Sequence, residues 1–227
     1  MMNPLRKGLV AVVLLGLGAS VGMAQTTVAA SVYGAFRSST SANTTTQSPS
    51  NAAGFLLEVR HIWNPLMGIE ATYSYNRADE DYTRQVLVPG PGPTDTVTAS
   101  IPANAHEVTG DWVVSLPLGN LRPFALAGYG LLLDVPTAGS VTATTTICPA
   151  GGLGPCSTST NSVATRTETK GVFQYGAGLD WTLLPHIGLR FQYRGNVYKA
   201  ADLSSAFTST DKFTQDAEPM AGVFIRF

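Results

Sequence analysis

Charge is what this 227-residue sequence has least of. Asp, Glu, Lys and Arg make up 13% of the chain, and 14 bases nearly cancel 15 acids at a net charge of −1; an ordinary soluble domain carries roughly 25% charged residues. With no Lys/Arg run anywhere, a nucleic-acid-binding surface is excluded. Histidine and cysteine are scarce too, three and two, and no two histidines fall on one strand face, so neither a metal site nor a cofactor site is expected. Past residue 24 no apolar run is long enough for a membrane helix, because Gly or Pro interrupts every stretch that could form one. Apolar residues at 44% and aromatics at 9% exclude disorder. Thr, Ser and 23 Gly take the place of the missing charge.

The N-terminus reads as an export signal over residues 1–24. Arg6 and Lys7 precede an apolar run from Gly8 to Leu17, and Gly22, Met23, Ala24 put small residues where a signal peptidase reads them. The run is too short to span ~30 Å of hydrocarbon. The remainder, residues 25–227, reads as one domain in an oxidising compartment.

Eight segments alternate apolar with polar or small residues at period two, near 26–38, 52–62, 67–78, 105–116, 121–134, 170–183, 187–199 and 216–227. In the clearest, Ile187, Leu189, Phe191 and Tyr193 alternate with Gly188, Arg190, Gln192 and Arg194. A soluble sandwich shows the same period, so the links decide. They run long, short, long, short, long, short, long. Short turns at one end and long loops at the other are the pattern of a transmembrane barrel with an even strand number.

The last strand, Ala221, Gly222, Val223, Phe224, Ile225, Arg226, Phe227, carries the most specific resemblance. The chain resembles the small eight-stranded outer-membrane barrels of the OmpA-transmembrane-domain and OmpX type, over essentially all of 25–227. The resemblance implies an all-β, antiparallel, up-and-down barrel among the lipids of a Gram-negative outer membrane, monomeric, with periplasmic termini. It also implies that the outer-membrane assembly machinery reads Val223, Ile225 and the terminal aromatic Phe227. No peptidoglycan-binding domain follows the last strand, so wall anchoring is not implied.

Lipid-facing Arg or Lys costs ~2–4 kcal/mol at the midplane, and charges in a narrow lumen must pair. Parity puts Glu58, Glu70, Glu107, Asp111 and Asp180 inside with Arg37, Arg60, Arg190, Arg194 and Arg226. Five acids facing five arginines predict an internal ion-pair network, completed by Gln174, Gln192, Thr72 and Thr109. Such a network plugs an eight-stranded lumen; a weakly conducting pore is the alternative. Inward glycines such as Gly128, Gly130, Gly176 and Gly178 make room for bulky arginines. Trp63 and Trp181 near the short turns, with Tyr75, Tyr129, Tyr175 and Tyr193 toward the other rim, form aromatic girdles.

Cys148 and Cys156 bracket a glycine-rich turn, and their pairing sets a register in which partners sum to 304, with Asp134 opposite Lys170 and Tyr129 opposite Tyr175. Strands five and six then extend beyond the membrane as a Thr/Ser-rich hairpin stapled at its tip, a ring worth roughly 2–3 kcal/mol. Strands three and four extend likewise around Pro89–Pro93. Protruding hairpins expose edges that can template contact with another strand, which points to a structural or adhesin-like role toward a surface protein or glycan. An enzyme of lipid modification is the other alternative, and its one histidine at the outer rim is His106, with Ser100 and Glu107; adjacent strand residues diverge, so no catalytic residue is assigned.

Overall fold

The computed structural model describes residues 25–87, 94–149 and 154–227. The export signal, residues 1–24, and the Pro89–Pro93 turn lie outside the described residues. Twelve strands follow one another: β1 (Gln25–Arg37), β2 (Thr40–Ala42), β3 (Thr45–Pro49), β4 (Ala52–Ile62), β5 (Met67–Leu87), β6 (Thr94–Ser115), β7 (Leu121–Pro136), β8 (Ser140–Cys148), β9 (Ser157–Ala164), β10 (Glu168–Leu184), β11 (Ile187–Lys199) and β12 (Phe213–Arg226). Staves β1, β4, β5, β6, β7, β10, β11 and β12 pair antiparallel in that order, and β12 returns to β1 to close an eight-stranded barrel. Closure leaves no stave with a free edge in the wall.

Alternation has the physical cause expected of it. On β11 Arg190, Gln192 and Arg194 are buried in the lumen, while Phe191 and Tyr193 face outward. Around the ring Val32, Trp112, Leu131 and Val223 are each more than half exposed, an apolar belt that only a hydrocarbon surrounding makes favourable. The short turns are held locally. Asn64 Oδ1 accepts from the amides of Leu66 and Met67, both at 2.9 Å, and Leu184 pairs with Ile187 across a two-residue link. Gly119 turns at φ +64°, where a side chain would be penalised.

At the long-loop end the wall rises further on one side. β5 and β6 remain paired out to Leu87 and Thr94. β3 takes over the ladder of β4 on β5, from Pro49↔Glu80 to Thr45↔Arg84, and β8 takes over that of β7 on β6, from Ala99↔Ala143 to Thr94↔Cys148. With β2 and β9 outside them these strands form a wing in the order β2-β3-β5-β6-β8-β9. The expectation that the β5–β6 hairpin exposes its edges is thus corrected: β3 covers one and β8 the other, and the edges move out to β2 and β9.

The single register expected for strands five and six is corrected as well. β8 and β9 keep it, with Val141 opposite Val163, but in the wall Tyr129 faces Phe173 and Leu131 faces Gly171, two residues away. The slip arises at residues 137–139, where the chain leaves Pro136 and bulges before rejoining β6. An even slip leaves every side chain on its own face.

The last long loop, residues 200–212, does not merely solvate the rim. It folds over the barrel mouth and seats Leu203 and Phe207 against Tyr82, Ile101, Ala103 and Ala143. These wing residues sit at inward parity above the apolar belt, so only a covering segment keeps them from water. The Tyr82 hydroxyl donates to the Ala201 carbonyl at 2.8 Å, and Arg84 Nη1 to that of Ala206 at 2.8 Å.

Candidate functional site

Three tiers of charge are stacked along the lumen. In the lowest, Arg60 Nη2 lies 2.6 Å from Glu70 and Nη1 3.2 Å from Asp180, while Arg190 reaches Asp180 at 2.6 Å and Glu58 at 3.1 Å. In the middle, Arg194 pairs with Glu107 and lies 3.7 Å from Glu218, and Asn196 donates to Glu107 at 3.1 Å. In the uppermost, level with the wing, Arg37 joins Glu80 at 2.8 Å and Asp216 at 3.4 Å, and Lys170 joins Asp134 at 2.8 Å. Lys170 and Asp134 meet diagonally, since their direct partners are Leu132 and Glu168. Burial pushes the Glu80 carboxyl up to about 7, against the opposing pull of the Arg37 guanidinium.

The inner wall is not balanced five against five. Glu80, Asp134, Asp216 and Glu218 join the five expected acids, and Lys170 and the half-buried Arg122 join the bases. Among the described residues Asp111 has no cation at ion-pair distance and is held by Thr109 at 2.9 Å and Gln174 at 3.2 Å. Arg226 likewise meets no carboxylate; it donates to Thr182 Oγ1 and the Pro185 carbonyl. The reason is depth. Arg226 stands at the short-turn mouth, below the lowest acid.

Between the tiers lie apolar layers that the alternation concealed: Val113, Phe124 and Leu126 below the middle tier, and Ala105, Leu132, Val172 and Tyr198 above it. The glycines serve these layers more than the arginines, which corrects the expectation. A Cβ on Gly178 would stand 2.5 Å from the Phe124 ring, and a Cβ on Gly54 2.5 Å from that of Tyr33. Inward aromatics therefore lie flat over cross-strand glycines.

Of the girdle residues, Trp63, Trp181, Tyr129 and Tyr193 are well exposed on the outer face, and Tyr75 and Tyr175 are partly covered. Trp112, absent from the expected set, stacks edge-on against Trp63 at 5.9 Å. Val223, Ile225 and Phe227 also face outward. Cys148 and Cys156 form a disulfide. His106 turns outward with Nδ1 2.9 Å from the Tyr73 hydroxyl, whereas Glu107 is buried beside Arg194; the two do not converge on Ser100.

A family model for the outer membrane protein beta-barrel domain matches residues 9–217. The chain belongs to that family. Similar solved structures include the outer membrane protein OprG of Pseudomonas aeruginosa, 10% identical with a TM-score of 0.51 over 89% of this chain and 95% of that one. The attachment invasion locus protein Ail of Yersinia pestis is 14% identical at 0.45, over 89% and 98%, and Neisserial surface protein A 12% identical at 0.44, over 92% and 100%. No curated protein sequence matches. As an outer membrane protein beta-barrel the chain resides in a Gram-negative outer membrane, and its short turns face the periplasm while the wing stands outside the cell.

Proposed function

We propose that this barrel is a closed platform for a surface-binding sheet, with an adhesin-like role served by a strand edge rather than by catalysis or conduction. The observation that carries the reading is β9. It pairs with β8 on one side only, and every side chain along it except Val163 is exposed. The docked loop already covers the wing's apolar concavity, so the edge is where a backbone ladder can still grow. Such an edge offers unpaired N–H and C=O groups to an extended peptide. The exposed charges of the outer rim and wing, Arg77, Asp79 and Asp81 on β5 and Arg166 just past β9, mix both signs, which favours an extended protein segment over a polyanionic glycan as the partner. Stacked ion pairs and a packed mouth support the plug reading of the lumen. Export by residues 1–24 and reading of the last strand at Val223, Ile225 and Phe227 by the assembly machinery belong to the same proposal.

The test uses the protein in lipid nanodiscs on immobilised extracellular-matrix proteins and on host cells. Ser159→Lys with Asn161→Lys charges the edge without touching the barrel. Adhesion of the natural sequence, lost in this variant while gel mobility still shifts on boiling, is the expected result. Equal adhesion by both proteins would remove β9 as the binding surface.

A further inference from the structure

The periplasmic mouth of the lumen holds a cavity of about 40 Å³ lined by residues of β1, β4, β7, β10 and β12. Its lining holds three arginines and one carboxylate; Arg60 and Asp180 are paired with each other, which leaves Arg122 and Arg226. Each is half-buried, and among the described residues neither reaches a carboxylate. Arg122 Nη1 donates to Gln25 Oε1 at 2.8 Å, and Arg226 Nη2 donates to Thr182 Oγ1 at 3.2 Å and to the Pro185 carbonyl at 3.4 Å. The other inward-facing bases, Arg37, Arg60, Lys170, Arg190 and Arg194, all have an acidic partner. A guanidinium has five donors, so most of the donor capacity of Arg122 and Arg226 is unused. The Thr27 hydroxyl, on the same cavity, is buried at 6% exposure and has no partner. The Asp180 carboxylate, opposite Arg122 in the ladder, is already shared by Arg60 and Arg190, so two neighbouring cations without an ion-pair partner and an orphan buried hydroxyl remain, each unfavourable, and one occupant relieves both.

We propose that this recess binds a single phosphate group presented from the periplasmic side. Planar guanidinium forks suit an oxyanion bidentately. A planar carboxylate presents its two oxygens along one edge, whereas a tetrahedral phosphate directs its oxygens to several sides and so meets two forks and a hydroxyl at once. The cavity has room for one such small group or the few waters it displaces. Transit further inward is barred by the lowest tier, where Arg60 and Arg190 both hold Asp180. The phosphate is either free or the headgroup of an inner-leaflet phospholipid, since the mouth borders both.

The protein refolded in a non-ionic detergent is titrated with inorganic phosphate at constant ionic strength, following the guanidinium Nε–H signals of Arg122 and Arg226 by NMR. A saturable shift at both is expected. Arg122→Gln and Arg226→Gln each weaken binding about tenfold or more, as loss of a charge-assisted pair does, and the double variant abolishes it. Thr27→Val, which keeps both charges, weakens it by less. A second arm uses dihexanoylphosphatidylglycerol below its micelle concentration: tighter binding of this lipid than of inorganic phosphate assigns the site to a headgroup, and the reverse to free phosphate. No saturable shift with either probe, or a shift that persists in the double variant, overturns the proposal. Should Arg226→Gln fail to fold, Arg122→Gln with Thr27→Val leaves the last strand intact and gives the same decision.

Discussion

The Arg60 guanidinium lies face-on over the Phe124 ring, 3.9 Å from its centroid, and the ring lies flat because Gly178 opposite has no side chain to lift it. A desolvated cation–π contact of this kind is worth ~2 kcal/mol. Gly178→Ala puts a methyl against both the ring and the Phe191 carbonyl, 2.6 Å away. The expected outcome is a loss of about 1–3 kcal/mol, read as a lower urea midpoint in micelles. Phe124→Leu in the Gly178→Ala background recovers part of it, since the smaller side chain vacates the clash.

Arg190 faces Glu58, Glu70 and Asp180 together. Arg190→Leu strands Glu58 and leaves Glu70 and Asp180 to share Arg60 alone, and breaking a buried pair from one side costs about 3–5 kcal/mol. Tryptophan fluorescence during urea unfolding measures this, and adding Glu70→Gln returns part of the loss. A midpoint unchanged in Arg190→Leu would mean that the lowest tier contributes nothing to stability.

The outer parts of the molecule were harder to read from sequence than the wall, for physical reasons. Inside the bilayer each residue meets either hydrocarbon or a narrow lumen, so period two is imposed without exception, and β4 and β11 carry the bounds 52–62 and 187–199 that alternation indicates. Asp216 and Glu218 have the same parity as Arg226 and were legible as inward residues. Glu80, Asp134 and Lys170 lie at the wing's level, where alternation continues but the membrane no longer explains it. Leu203 and Phe207 were not legible at all. They sit in a Ser/Thr-rich stretch with no period, and the surface they cover exists only once β5, β6 and β8 have come together.

Acidity should act on the wing through Glu80. Its carboxyl is raised from 4.5 to about 7, by burial first, against Arg37, the Gln47 amide and Lys170, with Asp134 reinforcing the rise. The folded state therefore binds a proton that the unfolded chain releases between these values. Stability contributed by the group is full below pH 4.5 and falls as pH rises toward 7, by up to about 1.4 kcal/mol per pH unit. Amide-exchange protection factors of residues 200–212 are expected to fall over that range, and Glu80→Gln to flatten the profile.

The β2–β3 turn places Asn43 at φ 51° and Thr44 at φ 63°, a two-residue turn of the type that favours Asn-Gly. A β-branched residue there costs roughly 1–2 kcal/mol. Thr44→Gly keeps the carbonyl that accepts from the Gln85 amide at 2.9 Å and removes the strain. Slower amide exchange across residues 40–49 is the expected outcome.

The loop over the mouth acts as a latch on the seam of the ring. It is tied at both ends to β11 and β12, yet its anchors come from the wing: Tyr82 of β5 holds Ala201 over 119 positions of sequence, and Thr40 of β2 meets Thr210 over 170. Peeling β12 away from β1 therefore has to draw Leu203 and Phe207 out of their seat. A contact made late and released early slows unfolding more than it speeds folding, so the latch lengthens the lifetime of the assembled barrel in the membrane.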